Sequence, residues 1–92
     1  MVKSILVDGL DWCYICGRPR QSIHHVFFGT ANRKISDKNG FIVPLCNDCH
    51  TGPYGVHHNR ELDLEIKRRC ERKYLESHRL AEFMRLIGRN YL

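Results

Sequence analysis

The chain has 92 residues and a formal net charge of +5, so it is long enough for one small domain whose hydrophobic core is thin. Its five cysteines are an odd number, and the opening MVKSILVDGL is too short and polar for a signal peptide, so we expect a cytoplasmic protein with reduced cysteines rather than a disulfide-bonded secreted one. The modest basic excess permits nucleic-acid binding without requiring it, and the sequence contains no apolar run that could cross a membrane.

The first predicted element is a tight cysteine turn, CYICGRPR. Cys13 and Cys16 are separated by two residues, and Gly17 follows with the backbone freedom that the turn behind the two sulfurs needs. This spacing is typical of a zinc knuckle.

Two strands are predicted next. The segment QSIHHVFF is rich in β-branched and aromatic residues, and FIVPL is a second apolar run with Pro44 near its end. Between them, GTANRKISDKNG is polar, basic and bounded by glycines, which predicts a loop. The two strands are expected to pair as an antiparallel hairpin with a long basic tip.

Helices are predicted for the rest of the chain. CNDCH begins a short helical turn that Gly52 and Pro53 stop. Asn59 is predicted to cap a longer helix, and Ser77 a third helix that ends at Gly88. The longer helix is expected to bury one face, formed by residues at i, i+4 spacing: Leu62, Ile66, Cys70 and Tyr74.

The cysteine spacing predicts a structural zinc site. Cys13 and Cys16 form one CxxC pair, and Cys46 and Cys49 form a second, which together supply four thiolates for a tetrahedral ion. The alternative is four free cysteines in the core. Cys70 has no partner at this spacing and is predicted to be a small buried apolar residue.

The histidines are the second candidate metal-binding group. His24 and His25 are adjacent on a predicted strand and therefore point to opposite faces. His50 directly follows the last zinc cysteine, and His57 lies beyond a turn that could bring it back toward His50. These four could cluster, or one or two of them could be surface or hydrogen-bonded core residues. No role is predicted for the remaining two, His58 and His78.

The order of these motifs resembles the HNH (His-Asn-His) endonucleases, and small phage-encoded members above all. The similar segments are the CxxC pair, SIHHVFF and VPLCNDCH, within about residues 13–58. The resemblance implies an α+β fold: a zinc-stapled ββα-metal core of a β-hairpin and a short helix, with two C-terminal helices. It also implies a single domain over 1–92, with its core at about 11–60 and a helical extension at 60–92, expressed inside a bacterial host.

The resemblance also implies roles for the histidines. His24 corresponds to a metal ligand and His25 to the general base, with His50 as the second ligand and His57 as a further candidate ligand. The ion would be magnesium or a divalent transition metal. A bulge in the strand would exchange the roles of His24 and His25, so their order stays open.

The family's middle asparagine has two candidates here. The position that usually carries it is Phe41 in this chain, and Asn39 and Asn32 are the nearest asparagines. The choice between these two also stays open.

Five basic residues are predicted to contact DNA phosphates. Arg33, Lys34 and Lys38 lie in the predicted loop, and Arg18 and Arg20 lie in the cysteine turn. Such contacts are largely independent of sequence and sensitive to salt. The alternative is that these residues only keep a surface loop solvated.

The expected function is a metal-dependent DNA endonuclease. A neutral histidine can take a proton from water near pH 7, and a divalent cation can stabilise charge on the phosphate and on the leaving oxygen. The alternative is a catalytically inactive, zinc-stabilised nucleic-acid-binding module. A protein-binding adaptor built on the helix at 60–76 is a third interpretation.

Overall fold

The computed structural model describes residues 3–92, with the side chain of Thr30 excepted. Its elements, in chain order, are β1 (Ser22–His25), α1 (Thr30–Asn39), β2 (Ile42–Leu45), α2 (Asn47–His50), α3 (Arg60–Leu75) and α4 (Leu80–Ile87). The predicted α+β class, with a hairpin followed by a short helix and two further helices, is confirmed. Within 3–92, no helix is both long enough and apolar enough to cross a bilayer.

The hairpin has a regular antiparallel register. Ser22 pairs with Leu45, and the pairing continues residue by residue to His25 opposite Ile42, so β1 contains no bulge. Pro44 lies inside β2, where its carbonyl accepts a hydrogen bond from the Tyr14 backbone N–H at 2.8 Å. In a strand the backbone N and O of one residue point the same way, so the Pro44 nitrogen also faces the cysteine turn. Its lack of an N–H therefore costs no hydrogen bond between the two strands.

The loop predicted between the strands is wrong, because the chain there forms the helix α1. The Ser36 hydroxyl, which is fully buried, donates to the carbonyl of Phe27 at 2.7 Å and ties the helix to the end of β1. Gly40 ends α1 in the left-handed conformation (φ 76°), and a Cβ at this position would lie 2.6 Å from the Lys3 carbonyl oxygen. Only glycine fits there without displacing the backbone.

The capping of α3 is confirmed. The Asn59 side-chain oxygen accepts a hydrogen bond from the Leu62 backbone N–H at 3.1 Å. On the predicted face, Ile66, Cys70 and Tyr74 are buried and Leu62 is half-buried.

The predicted Ser77 cap of α4 is wrong. The N-cap residue is Arg79, without a side-chain capping bond, and the Ser77 hydroxyl instead lies 2.9 Å from Nδ1 of His78. Ser77 is two residues too early because the turn after α3 extends through it, with its N–H donating to the Tyr74 carbonyl at 3.2 Å. Gly88 ends α4 in the left-handed conformation, as predicted.

Aromatic rings join the hairpin to the two C-terminal helices, α3 and α4. Phe27 and Phe41, at the two strand ends, have ring centroids 5.4 Å apart, and Phe83 of α4 lies 5.5 Å from Phe27. Tyr74 of α3 packs against Phe41 at 5.4 Å. This shared core holds α3 and α4 against the hairpin, whose strand β1 carries His24 and His25.

The last residues of the chain are held against α3. The Tyr91 backbone N–H donates to Oε1 of Glu71 at 2.8 Å, and its carbonyl accepts from Nε of Arg68 at 3.1 Å. Glu71 is fully buried, so the bond from Tyr91 replaces water at one of its oxygens.

Candidate metal centres and active-site cleft

The four predicted zinc ligands converge. The Sγ atoms of Cys13, Cys16, Cys46 and Cys49 all lie within 4.8 Å of one another, and those of Cys16 and Cys46 are 3.5 Å apart. Zn–S bonds of about 2.3 Å place tetrahedral sulfurs about 3.8 Å apart, so this set could hold a structural zinc ion. Cys70 is buried on α3, outside the set.

Backbone hydrogen bonds shape the cysteine turn and favour a thiolate there. The Gly17 N–H donates to the Cys13 carbonyl at 3.0 Å, with Gly17 at φ 77°. Burial raises the pKa of the Cys13 thiol, but backbone hydrogen bonds from Cys16, Cys46 and Ile15 outweigh it and lower that pKa to about 6. One sulfur can therefore be ionised near neutral pH before a cation arrives.

Three of the four candidate histidines form a second cluster. Ring nitrogens of His24, His50 and His57 lie within 4.8 Å of one another, and the Nε2 atoms of His50 and His57 are 3.0 Å apart. Metal–nitrogen bonds of about 2.0–2.1 Å place neighbouring ligand nitrogens about 2.9–3.4 Å apart. The three histidines could therefore hold a metal ion together.

The cysteine site positions two of these histidines. His50 is the last residue of α2 and directly follows Cys49. The turn after α2 folds back, because the Val56 N–H donates to the Cys49 carbonyl at 2.9 Å and the His57 N–H to the His50 carbonyl at 3.3 Å. His24 completes the cluster from β1, where it is 2% exposed.

Ser22 orients His50, a role that the sequence analysis did not predict. Its hydroxyl lies 3.0 Å from Nδ1 of His50. When that nitrogen carries the proton and donates to Ser22, the lone pair of Nε2 is free for a metal ion. The one signal in the sequence is that Ser22 precedes His24 by two residues, which places both side chains on the same face of β1.

His25 is separate from the cluster and has a carboxylate partner. Its Nε2 lies 2.7 Å from Oδ1 of Asp37 on α1. A neutral ring that donates from Nε2 keeps Nδ1 as a proton acceptor. Asp37 was not found from the sequence, because its approach to His25 depends on the helix that had been predicted to be a loop.

Two of the three clustered histidines, His24 and His50, have lowered pKa values. Burial, followed by the nearby His50 and His57, lowers the pKa of His24 to about 3. Burial and the neighbouring His57 also lower the pKa of His50. Their lone pairs are therefore available to a cation at neutral pH.

The histidines lie in an open cleft of about 710 Å³. His24, His25, His50 and His57 all line it, together with Asp37. Two of the basic residues predicted to contact DNA, Arg33 and Lys34, line it as well. The cleft thus combines candidate metal ligands, a candidate base and positive charge.

The other basic candidates lie elsewhere. Lys38 lines a separate cavity with Lys73, Arg18 forms an ion pair with Asp48 at 3.0 Å, and Arg20 is exposed outside the cleft lining.

The two asparagine candidates lie on α1. The Asn39 amide donates to the Ile35 carbonyl of its own helix at 2.9 Å, and Asn32 is half-buried near the start of that helix. Phe41 is fully buried in the core.

The remaining histidines, His58 and His78, lie outside the cleft lining, and His78 stacks on Tyr74 with ring centroids 4.0 Å apart.

Comparison with known proteins gives one similarity to DNA-repair machinery. The chain is 32% identical over 71 residues to the mitochondrial DNA mismatch repair protein mutS homolog of Sarcophyton glaucum. The match covers 72% of this chain but 7% of the length of that protein. No family model matches the chain. No solved structure matches it either.

Proposed function

We propose that this protein is a metal-dependent DNA endonuclease that hydrolyses phosphodiester bonds. The observation that carries the proposal is the convergence of His24, His50 and His57 in a cleft that is also lined by His25 and basic residues. The similarity to a protein named for DNA mismatch repair supports DNA as the substrate. In the proposed enzyme the cysteine site is structural and the histidine site is catalytic.

His24, His50 and His57 are the proposed ligands of the catalytic ion. Three imidazole ligands favour a divalent transition metal over magnesium, which prefers oxygen ligands. When bound, such an ion would supply Lewis-acid stabilisation of the phosphate and of the leaving oxygen. Ser22 keeps Nε2 of His50 directed at the other ligands.

His25 is the proposed general base. The Asp37 carboxylate accepts a hydrogen bond from Nε2–H and holds the ring, so Nδ1 can take a proton from the attacking water. The water oxygen then forms a bond to phosphorus while the bond from phosphorus to the leaving ester oxygen breaks. The regular register of β1 favours this assignment over the reverse one, because His24 is in the cluster and His25 is outside it.

Arg33 and Lys34 are the proposed phosphate contacts. Both are exposed on α1 at the edge of the cleft, where their charge can attract the DNA backbone. Replacing both with alanine should weaken DNA binding and flatten its dependence on salt. Replacing Arg20 and Arg72, which are exposed and lie outside the cleft lining, removes the same charge and provides a control for net charge.

A plasmid-nicking assay with added Mg²⁺, Mn²⁺, Ni²⁺ or Zn²⁺ tests the catalytic proposal. His25→Ala should cut about 10²–10⁴-fold more slowly and still bind DNA. His57→Ala should need a higher metal concentration, whereas His58→Ala, a change at the neighbouring position outside the cluster, should cut like the wild type.

Two results would overturn these assignments. If His25→Ala cuts at the wild-type rate while His24→Ala is inactive and still binds metal, the roles of the two strand histidines are reversed. If the folded wild type cuts no DNA with any of the ions but binds DNA, the protein is a zinc-stabilised nucleic-acid-binding module.

A further inference from the structure

We propose that Phe28 is a stacking platform for an unpaired nucleobase beside the scissile phosphate, so that the substrate is single-stranded or locally unpaired DNA. This inference rests on the proposed function and gives it a substrate class. In duplex DNA both faces of a base are covered by its neighbours, so the ring of Phe28 could pack only on a base that has left the stack.

Phe28 is presented to the cleft rather than to the core. The preceding residue, Phe27, is fully buried, but Phe28 is 48% exposed and lines the cleft that contains the histidines. Gly29 follows with φ 105°, a conformation that glycine adopts readily, and turns the chain from β1 into α1. An exposed aromatic ring offers a flat apolar face on which a nucleobase can stack.

The ring is fixed close to the candidate catalytic residues. Its centroid lies 5.6 Å from that of His57 and 6.2 Å from that of His24. The ammonium group of Lys67 lies over the ring, 4.4 Å from its centroid, and is itself held by Asp63 at 2.8 Å. This cation–π contact restrains the ring, which lowers the entropic cost of stacking a base on it.

The basic residues near Phe28, together with its apolar ring, indicate what kind of ligand the cleft binds. Arg33 and Lys34 line the same cleft and can bind phosphates, while Phe28 offers an apolar surface. A strand of nucleic acid presents this same alternation of phosphate and flat aromatic base. Both kinds of group in the cleft therefore match one nucleotide and its flanking phosphates.

The alternative role for Phe28 is to cover the histidine cluster without contacting a base. Binding assays can separate the two roles. If Phe28 only covers the cluster, the protein should bind a DNA strand with bases and a strand without bases equally well. Tyr54 provides a matched control, since this tyrosine is 88% exposed but does not line the cleft.

The test measures the affinity of the protein for two fluorescent single-stranded oligonucleotides of equal length, one normal and one with abasic sites. Affinity is measured by fluorescence anisotropy without added divalent ions. The wild type should bind the normal strand about 5- to 150-fold more tightly, the range expected from one stacked base. Phe28→Leu should lose this preference, Phe28→Trp should keep it, and Tyr54→Leu should match the wild type. All four proteins should bind the abasic strand equally, which shows that the basic residues are intact.

Three outcomes would overturn the inference: a wild type that binds both strands equally, a Phe28→Leu protein that keeps the preference, or a wild type that binds neither strand. Cleavage of the plasmid and of the normal oligonucleotide, measured on the same preparation with the same four ions, separates this failure from failure of the proposed function. If the protein cleaves DNA but shows no preference for strands with bases, only the stacking role of Phe28 is rejected. If it shows a preference that depends on Phe28 but no cleavage, the nuclease proposal is rejected and the stacking site stands.

Discussion

Replacing Cys13 with alanine should unfold the protein, whereas the same replacement at Cys70 should leave it folded. Both cysteines are buried, so the two substitutions remove the same atom from similarly shielded positions. They differ in that Cys13 belongs to the four-sulfur cluster and Cys70 does not. A difference in stability between them therefore measures the contribution of the metal site.

The expected magnitudes differ widely. A domain of this length has an unfolding free energy of about 5–14 kcal/mol, and binding of a structural zinc contributes about 10–16 kcal/mol in small zinc domains. Losing one of the four thiolates should therefore remove most of the stability. Losing the Cys70 sulfur resembles deletion of one buried methylene, at about 1 kcal/mol, which lowers the Tm by about 4–8 °C.

The assay is zinc analysis of each purified protein, followed by a thermal melt monitored by far-ultraviolet circular dichroism. The wild type and Cys70→Ala should each contain at least one zinc ion and melt cooperatively, and Cys13→Ala should contain none and show no transition. A folded wild type without zinc would refute the reasoning, as would a Cys13→Ala protein that melts within a few degrees of Cys70→Ala.

Three further predictions concern the histidines. Ser22→Ala should weaken Ni²⁺ binding at the histidine cluster by about 10–100-fold, because His50 loses its orienting partner. Calorimetry measures this affinity, and an unchanged value would rule out the orienting role of Ser22. Asp37→Asn should slow cleavage, because His25 loses the partner that orients it, by at most the 10²–10⁴-fold that a general base typically contributes. DNA binding should be unchanged. A wild-type cleavage rate would show that His25 does not need Asp37 for its orientation. Since burial lowers the pKa of His24 from 6.5 to about 3, the unfolded chain binds more protons between these values. Without metal in the cluster, the free energy of unfolding in urea should therefore fall as the pH drops from 6.5 toward 3, and His24→Gln should show a shallower fall.

The sequence predicts the parts of the fold whose signals are local. The strands were found because β-branched and aromatic residues are concentrated in them, and α3 because Asn59 precedes an amphipathic repeat. The cysteine cluster was found because each CxxC pair encodes half of the site in four consecutive residues.

α1 was missed because its signals are not local. It is strongly polar, and among the α1 side chains that the structure describes only that of Ser36 is fully buried. Its hydroxyl donates to the carbonyl of Phe27 nine residues earlier. Gly29 and Gly40, which suggested a loop, instead flank the helix. Asp37 was missed for the same reason, because only the helix brings it to His25.

The attachment of the last residues to α3 has a practical consequence for protein engineering. A fluorescent or affinity tag joined after Leu92 leaves the Tyr91 backbone bonds to Glu71 and Arg68 in place. Deleting Tyr91 and Leu92 would instead leave the fully buried Glu71 carboxylate without its backbone donor, at a cost of about 1–3 kcal/mol or more. Shortened versions made for crystallisation should therefore retain Tyr91.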